Sequence, residues 1–175
     1  VTQEEFWQLI DKTREESGNN PTKQAELLVK ALSVMSDDDI FDYQRIHDSY
    51  FQTAFRTDLW DAVEIIYSAG DDGFMDFRAW LIGQGLRVFE QALNNPDSIA
   101  DLISVENRYD IFAEELLCVA HVAYDPGLEK IIPVYPEYKK LERNSECFSL
   151  SGEMQRECLK RHYPKLWAKF GWDAD

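Results

Sequence analysis

At 175 residues, with 45% hydrophobic and 13% aromatic side chains, the chain is long enough for one domain with a sizeable core and too apolar to be a disordered acidic tail. Its formal net charge of −15 at pH 7 excludes nucleic acid and anionic membrane surfaces as expected partners, because both are met by a basic footprint. No stretch approaches the ~18 uncharged apolar residues that span a bilayer, and Val1-Thr2-Gln3-Glu4-Glu5 lacks the basic and apolar regions of a signal peptide, so a cytoplasmic protein is expected.

The predicted elements follow in chain order. Thr2-x-x-Glu5 is a capping box that opens the first helix, with Phe6, Leu9, Ile10 and Thr13 as its inward stripe. Gly18-Asn19-Asn20-Pro21 stops it and starts a second helix to about Leu32, with Asn20 as N-cap and Pro21 at the first helical position. Ser36-Asp37-Asp38-Asp39 caps a third helix, in which Ile40, Tyr43, Ile46, His47, Tyr50 and Phe51 keep the period. Asp58 opens a fourth through Leu59, Trp60, Val63, Ile66 and Tyr67, expected to end at Gly70 in a left-handed C-cap, with Asp71-Asp72-Gly73 as the turn.

From Phe74 to Leu93 apolar residues surround most of a helix, which reads as one central, buried element. Asn95-Pro96-Asp97 punctuates, a short helix is expected around Ser98–Ile103, and Tyr109–Tyr124 reads as a further helix ended by Asp125-Pro126-Gly127. Residues 128–150 read as irregular, since Ile131-Ile132-Pro133-Val134-Tyr135-Pro136 carries two prolines. A last helix spans about Gly152–Arg161, and Leu166, Trp167, Phe170 and Trp172 form an aromatic end that docks on the body. The expected fold is therefore all-α, a compact multi-helix bundle with an irregular segment and a C-terminal helix.

Charge divides the chain. Residues 1–127 hold 9 Lys+Arg against 25 Asp+Glu, whereas residues 128–175 hold 9 against 8. This predicts an acidic helical domain over 1–127 and a near-neutral C-terminal extension over 128–175 packed on it. Cys118, Cys147 and Cys158 are an odd number and too few for a disulfide scaffold, which fits a reducing compartment; a Cys147–Cys158 bridge stays open for an exported chain.

Several ordered blocks carry a resemblance: Glu5-Phe6-Trp7-x-Leu9-Ile10, then Asp58-Leu59-Trp60-Asp61-Ala62, then Asp71-Asp72-Gly73-Phe74-x-Asp76-Phe77-Arg78-x-Trp80-Leu81-Ile82-x-Gln84-Gly85, then Asn95-Pro96-Asp97-Ser98. Over roughly Thr2 to Tyr124 the chain resembles bacterial domain-of-unknown-function family 4240. The resemblance implies a mostly helical bacterial domain, in some relatives joined to a WGR module, and lends no activity.

The densest chemistry is the group Asp58, Trp60, Asp71, Asp72, Asp76, Arg78, Trp80 and Gln84, with Glu114 and Glu115 interrupting a later apolar run. Read functionally, Asp71, Asp72 and Asp76 could hold a hard cation, or Arg78 an anion while Trp80 stacks on a ligand. A carboxylate at Glu114 or Glu115 directed into a cleft would then serve as acid or base. Read structurally, Asp72 caps a helix and Arg78 pairs with Glu114 or Glu115 between helices; this reading is preferred, since buried charges are usually paired. His47, His121 and His162 join no nucleophile or metalloprotease pattern. Cys158-x-x-x-His162 with Cys147 is a weak zinc spacing whose fourth ligand would have to come from Cys118 or His121, so neither metal nor cofactor is assigned. Gly83-x-Gly85 falls within a helix and not in a phosphate loop.

The sequence therefore favours a non-catalytic cytoplasmic module whose acidic face meets a basic protein, for instance an immunity or inhibitor protein for a basic toxin or nuclease. The alternative is an enzyme or a domain binding a small ligand or divalent cation in a cleft around Asp71, Asp72, Asp76, Arg78 and Trp80.

Overall fold

The computed structural model describes residues 1–68, 70–127, 129–134 and 139–171, and the protein is all-α. Among the described residues no strand forms; an isolated bridge joins Arg56 to Glu142. Nor is any helix there long and apolar enough to cross a membrane.

The first three helices start where short-range capping chemistry places them. In α1 (Gln3–Ser17) the Thr2 amide donates to Glu5 Oε2 at 2.8 Å and the Glu5 amide to Thr2 Oγ1 at 3.2 Å, satisfying two orphan donors reciprocally. Asn20 accepts from the Lys23 amide at the head of α2 (Pro21–Leu32), and Ser36 from the Asp39 amide at the head of α3 (Asp37–Thr53). Phe6 and Trp7 of α1 meet Tyr43 and Tyr50 of α3, with ring centroids 4.8 Å apart for Phe6–Tyr43 and 4.7 Å for Trp7–Tyr50. Complete burial of side chains such as Phe6, Ile10, Leu28 and Leu32 stabilises by about 1.5–3 kcal/mol each.

Three expectations are corrected in the middle of the chain. Helix α4 (Thr57–Ile66) ends before Gly70, which with φ +60° opens α5 (Gly70–Gly83) instead of closing α4. Asp71, Asp72 and Gly73 consequently form the first turn of α5, where the carboxylates face the positive end of the helix dipole. The single central helix expected over Phe74–Leu93 breaks at Gly85, which has φ +89°, and α6 (Leu86–Asn94) follows. The glycine supplies the left-handed backbone that this break requires. Before the break α5 is enclosed: Phe74, Phe77, Ala79, Trp80, Leu81 and Ile82 are all buried.

The helix expected over Tyr109–Tyr124 is replaced by two 3₁₀ turns, Arg108–Ile111 and Glu114–Leu117, and a short α7 (Val119–Tyr124). The buried residues Ala113, Leu116 and Val119 recur every third position, which suits 3₁₀ turns better than an α-helical face. The short helix expected around Ser98–Ile103 is a 3₁₀ turn at Pro96–Asp101.

In the C-terminal part, residues 129–134 and 139–146 run without helix, while Tyr135 and Pro136 of the proline-bearing stretch lie outside the described residues. A 3₁₀ turn (Cys147–Ser149), α8 (Gly152–His162) and α9 (Pro164–Phe170) follow, the last two separated at Tyr163 because Pro164 has no amide to continue α8. Leu166, Trp167 and Phe170 are buried, and α9 rests on α4 and on the Pro96–Asp101 turn; Trp172 lies outside the described residues. A disulfide joins Cys147 to Cys158, with Cα atoms 5.5 Å apart, and Cys118 is a free, exposed thiol.

Candidate functional site

Arg78 lies inside the protein, but its expected partner is not there. Its guanidinium carbon is 3.8 Å from the Phe51 ring centroid, 4.7 Å from that of Phe55 and 5.0 Å from that of Phe74. Nη1 donates to the Phe51 carbonyl at 3.1 Å and Nε to the Phe74 carbonyl at 3.3 Å. Phe51 belongs to the last turn of α3, whose carbonyls lack donors within the helix, so Arg78 satisfies an orphan acceptor at the negative end of that helix dipole. No carboxylate among the described residues pairs with it, and neither Glu114 nor Glu115 is near enough to bond it. Burial pushes the guanidinium down to about 10.

Glu114 and Glu115 are exposed, because the 3₁₀ register turns Ile111, Ala113 and Leu116 inward in their place. They form an acidic face with the first turns of α5. Asp72, Met75, Asp76, Glu114 and Leu117 line a hollow of about 250 Å³, and Phe112, Glu114, Glu115 and Cys118 line one of about 370 Å³. Burial raises the Asp76 carboxyl above its ordinary value, and Glu114, Asp72 and Glu115 raise it further by repulsion. Burial, then Glu114 and Asp76, likewise raise the Cys118 thiol. Thr22 donates to Glu115 at 2.9 Å, yet among the described residues no Lys or Arg forms an ion pair with any of these four carboxylates. Tyr67 and Tyr109, both exposed, meet beside them, and Tyr67 also packs edge-on against Phe112.

The other residues singled out from sequence are dispersed. Asp71 is exposed in the first turn of α5. Asp58 is bonded by Arg56 at 2.6 Å, and Trp60 stacks on Phe74 at 4.6 Å. Trp80 and Gln84 line a separate cavity of about 700 Å³ with Arg14, Arg87, Asp101 and Asp110. The structure thus brings Asp72, Asp76, Glu114 and Glu115 together and sets Arg78, Trp80, Gln84 and Asp58 apart from them.

A polar cluster that the sequence did not single out lies where the C-terminal part meets α4. Thr57, fully buried, accepts from the Asn144 and Ser145 amides at 3.0 and 2.9 Å, and its own amide donates to the Glu142 carbonyl at 2.9 Å. Asp61, one helical turn on and 2% exposed, accepts from the Ser145 hydroxyl and, at 3.5 Å, from the Tyr163 hydroxyl. Burial dominates these bonds and pushes the Asp61 carboxyl up to about 6. Asp97 accepts from the Lys165 and Leu166 amides at 3.1 and 2.9 Å, capping α9 from the Pro96–Asp101 turn. Beside this seam a cavity of about 410 Å³ is lined by Asp58, Pro96, Asn144, Ser145, Glu146, His162 and Tyr163. The available signal for Asp61 was its alignment with Thr57 and Ile65 at helical spacing, which places it on a buried face of α4.

Among the described residues, one group brings three metal-ligating side chains within 4.8 Å of one another: Cys147, Cys158 and His162. Cys118 and His121, the fourth ligands considered from sequence, are not part of it.

No curated protein matches the chain, and no solved structure does. A family model described as "Protein of unknown function (DUF4240)" matches residues 1–126, which include α1 to α7 and the whole acidic face, whereas Ser145, Cys147, Cys158, His162 and Tyr163 lie beyond it. With most of its length covered by that match, the chain belongs to the DUF4240 family.

Proposed function

We propose that the protein is a non-catalytic bacterial binding module whose acidic face receives a basic protein. The observation that carries this reading is the crowding of Asp72, Asp76, Glu114 and Glu115 without an ion-pair partner among the described residues, where burial first and the neighbouring carboxylates second raise the Asp76 carboxyl. Lysine or arginine from a partner would relieve that repulsion, and the interleaved Met75, Leu117 and Phe112 offer apolar contact around it. Steering by the charge of −15 would speed encounter. An immunity or inhibitor protein for a basic toxin or nuclease is one role that this chemistry serves.

The test compares the immobilised chain with the variant Asp72→Asn/Asp76→Asn/Glu114→Gln/Glu115→Gln in capturing proteins from extracts of the native host. A control variant, Glu4→Gln/Glu15→Gln/Glu16→Gln/Asp38→Asn, changes the net charge equally at other exposed sites. The expected result is a basic protein held by the native and control chains at low salt, released at moderate salt, and lost with the first variant. Equal capture by all three, or no basic protein with any, would overturn the proposal.

A further inference from the structure

The residues around the Cys147–Cys158 disulfide carry a second chemistry that shares no residue with the acidic face. Cys158 and His162 lie four residues apart on α8 and therefore on one side of it. Glu146 and Cys147 arrive from the preceding turn. Glu146 Oε1 is 2.8 Å from His162 Nε2, 3.9 Å from Cys158 Sγ and 2.7 Å from Arg161 Nη2. The two sulfurs and a His162 ring nitrogen fall within 4.8 Å of one another, and the Glu146 carboxylate borders this group of three from the side of Cys158 and His162.

We propose that, when the disulfide is reduced, Cys147, Cys158, His162 and Glu146 bind one Zn²⁺ ion. The segment from Glu146 to His162 is then closed either by the covalent bridge or by the metal. A dithiol reductant passes two electrons and two protons to the bridge, giving two thiols and its own disulfide. Binding of Zn²⁺ to the thiols releases both protons, leaving two thiolates on the metal. Tetrahedral zinc holds ligands at about 2.0–2.3 Å, which places neighbouring donor atoms under roughly 4 Å apart, so the sulfurs separate on reduction and the histidine and carboxylate close on them from the exposed side. The donor set selects zinc over calcium or magnesium, which take oxygen ligands. Two thiolates and a carboxylate leave one net negative charge on the zinc complex, and Arg161 stands against Glu146 to balance it.

Access and enclosure fit the same reading. Cys147 and Cys158 are buried, forming a closed inner side, whereas His162 and Glu146 are exposed and border the cavity of about 410 Å³. An ion in that cavity meets Glu146 and His162 first.

The experiment uses the full chain carrying Cys118→Ser, which removes the free thiol. It is reduced with a water-soluble phosphine, itself converted to the phosphine oxide with oxygen from water, and titrated with Co²⁺ and then Zn²⁺. The reduced chain is expected to take up one equivalent of Co²⁺ with the visible bands of a tetrahedral site and sulfur-to-cobalt charge transfer, and to lose both when Zn²⁺ displaces it. The oxidised chain is expected to show neither. His162→Ala, at an exposed position, should weaken zinc binding by more than the roughly 10–100-fold that loss of an outer-shell partner costs, and Glu146→Ala should weaken it at least within that range. If the reduced chain loses helicity, recovery on adding Zn²⁺ that fails in His162→Ala supports the site, and no recovery counts against it. Absence of uptake by the reduced chain, equal uptake by the oxidised chain, or an unchanged affinity in His162→Ala overturns the proposal.

Discussion

Asp61 and Arg78 are buried ionisable side chains that burial displaces from their ordinary titration ranges in the direction of the neutral form. For Asp61 the folded carboxyl titrates near pH 6 and the unfolded one near its ordinary 3.8, so folding takes up a proton between those values. Its contribution to stability is full below the ordinary value and falls as pH rises to about 6, with a slope of up to about 1.4 kcal/mol per pH unit. In urea unfolding across this range, Asp61→Asn is expected to remove that slope; identical slopes for variant and native chain would show that Asp61 does not titrate there. Arg78 keeps its charge by facing Phe51, Phe55 and Phe74 and donating to two carbonyls. Lysine lacks the planar group that makes these contacts together, so Arg78→Lys should lose about 1–2 kcal/mol, read as a lower denaturant midpoint at unchanged slope.

At the scale of elements, α9 is a seven-residue helix whose first amides are satisfied by Asp97 from a distant turn. Asp97→Ala should cost about 1–2 kcal/mol and speed hydrogen exchange at Lys165 and Leu166 before it affects α1 to α3. Exchange unchanged at those two amides would remove the capping role. The contrast with α1, α2 and α3 shows which parts of the fold were legible in the sequence. Thr2, Asn20 and Ser36 cap helices three residues away, so donor and acceptor sit within one window of sequence. Asp97 acts 68 and 69 residues away, and Gly85 breaks a helix at a φ of +89° although an isolated glycine in a helical pattern is also tolerated unbroken. Neither fact is encoded locally. The acidic face is half legible: the charges of Asp72, Asp76, Glu114 and Glu115 mark residues that converge, but Arg78, close to three of the sequence-predicted aspartates in the chain, turns to the opposite chemistry of an aromatic cage. Asp61 is not legible in the sequence because its partners, Ser145 and Tyr163, come from the far end of the chain.

At the scale of the molecule, two sets of carboxyl groups set opposite limits on the pH range of stability. Glu5 is held low by the Thr2 amide and hydroxyl, and Asp39 chiefly by the Ser36 hydroxyl. Asp125 is lowered chiefly by the Lys130 amide, and Glu146 by His162 and Arg161. Their stabilisation is present above the ordinary carboxylate range and is lost as pH falls through the lowered values. Asp61 and Asp76 are held high, first by burial, and their contributions are lost as pH rises through the raised values. The two windows meet between about pH 4 and 6, and the charge of −15 adds self-repulsion that grows above it. Thermal unfolding followed from pH 3 to 8 at low protein concentration should therefore give the highest Tm between about pH 4 and 6 and not at pH 7. Because the repulsion on the alkaline side is between largely solvated carboxylates, raising NaCl from about 0.02 to 0.5 M should raise Tm at pH 7.5 and do so less at pH 5. A Tm that peaks at or above pH 7, or that falls with salt at pH 7.5, would mean that the lowered carboxyl groups and their ion pairs outweigh the crowding around Asp76, and with it would go the argument that the acidic face is held under repulsion until a basic partner arrives.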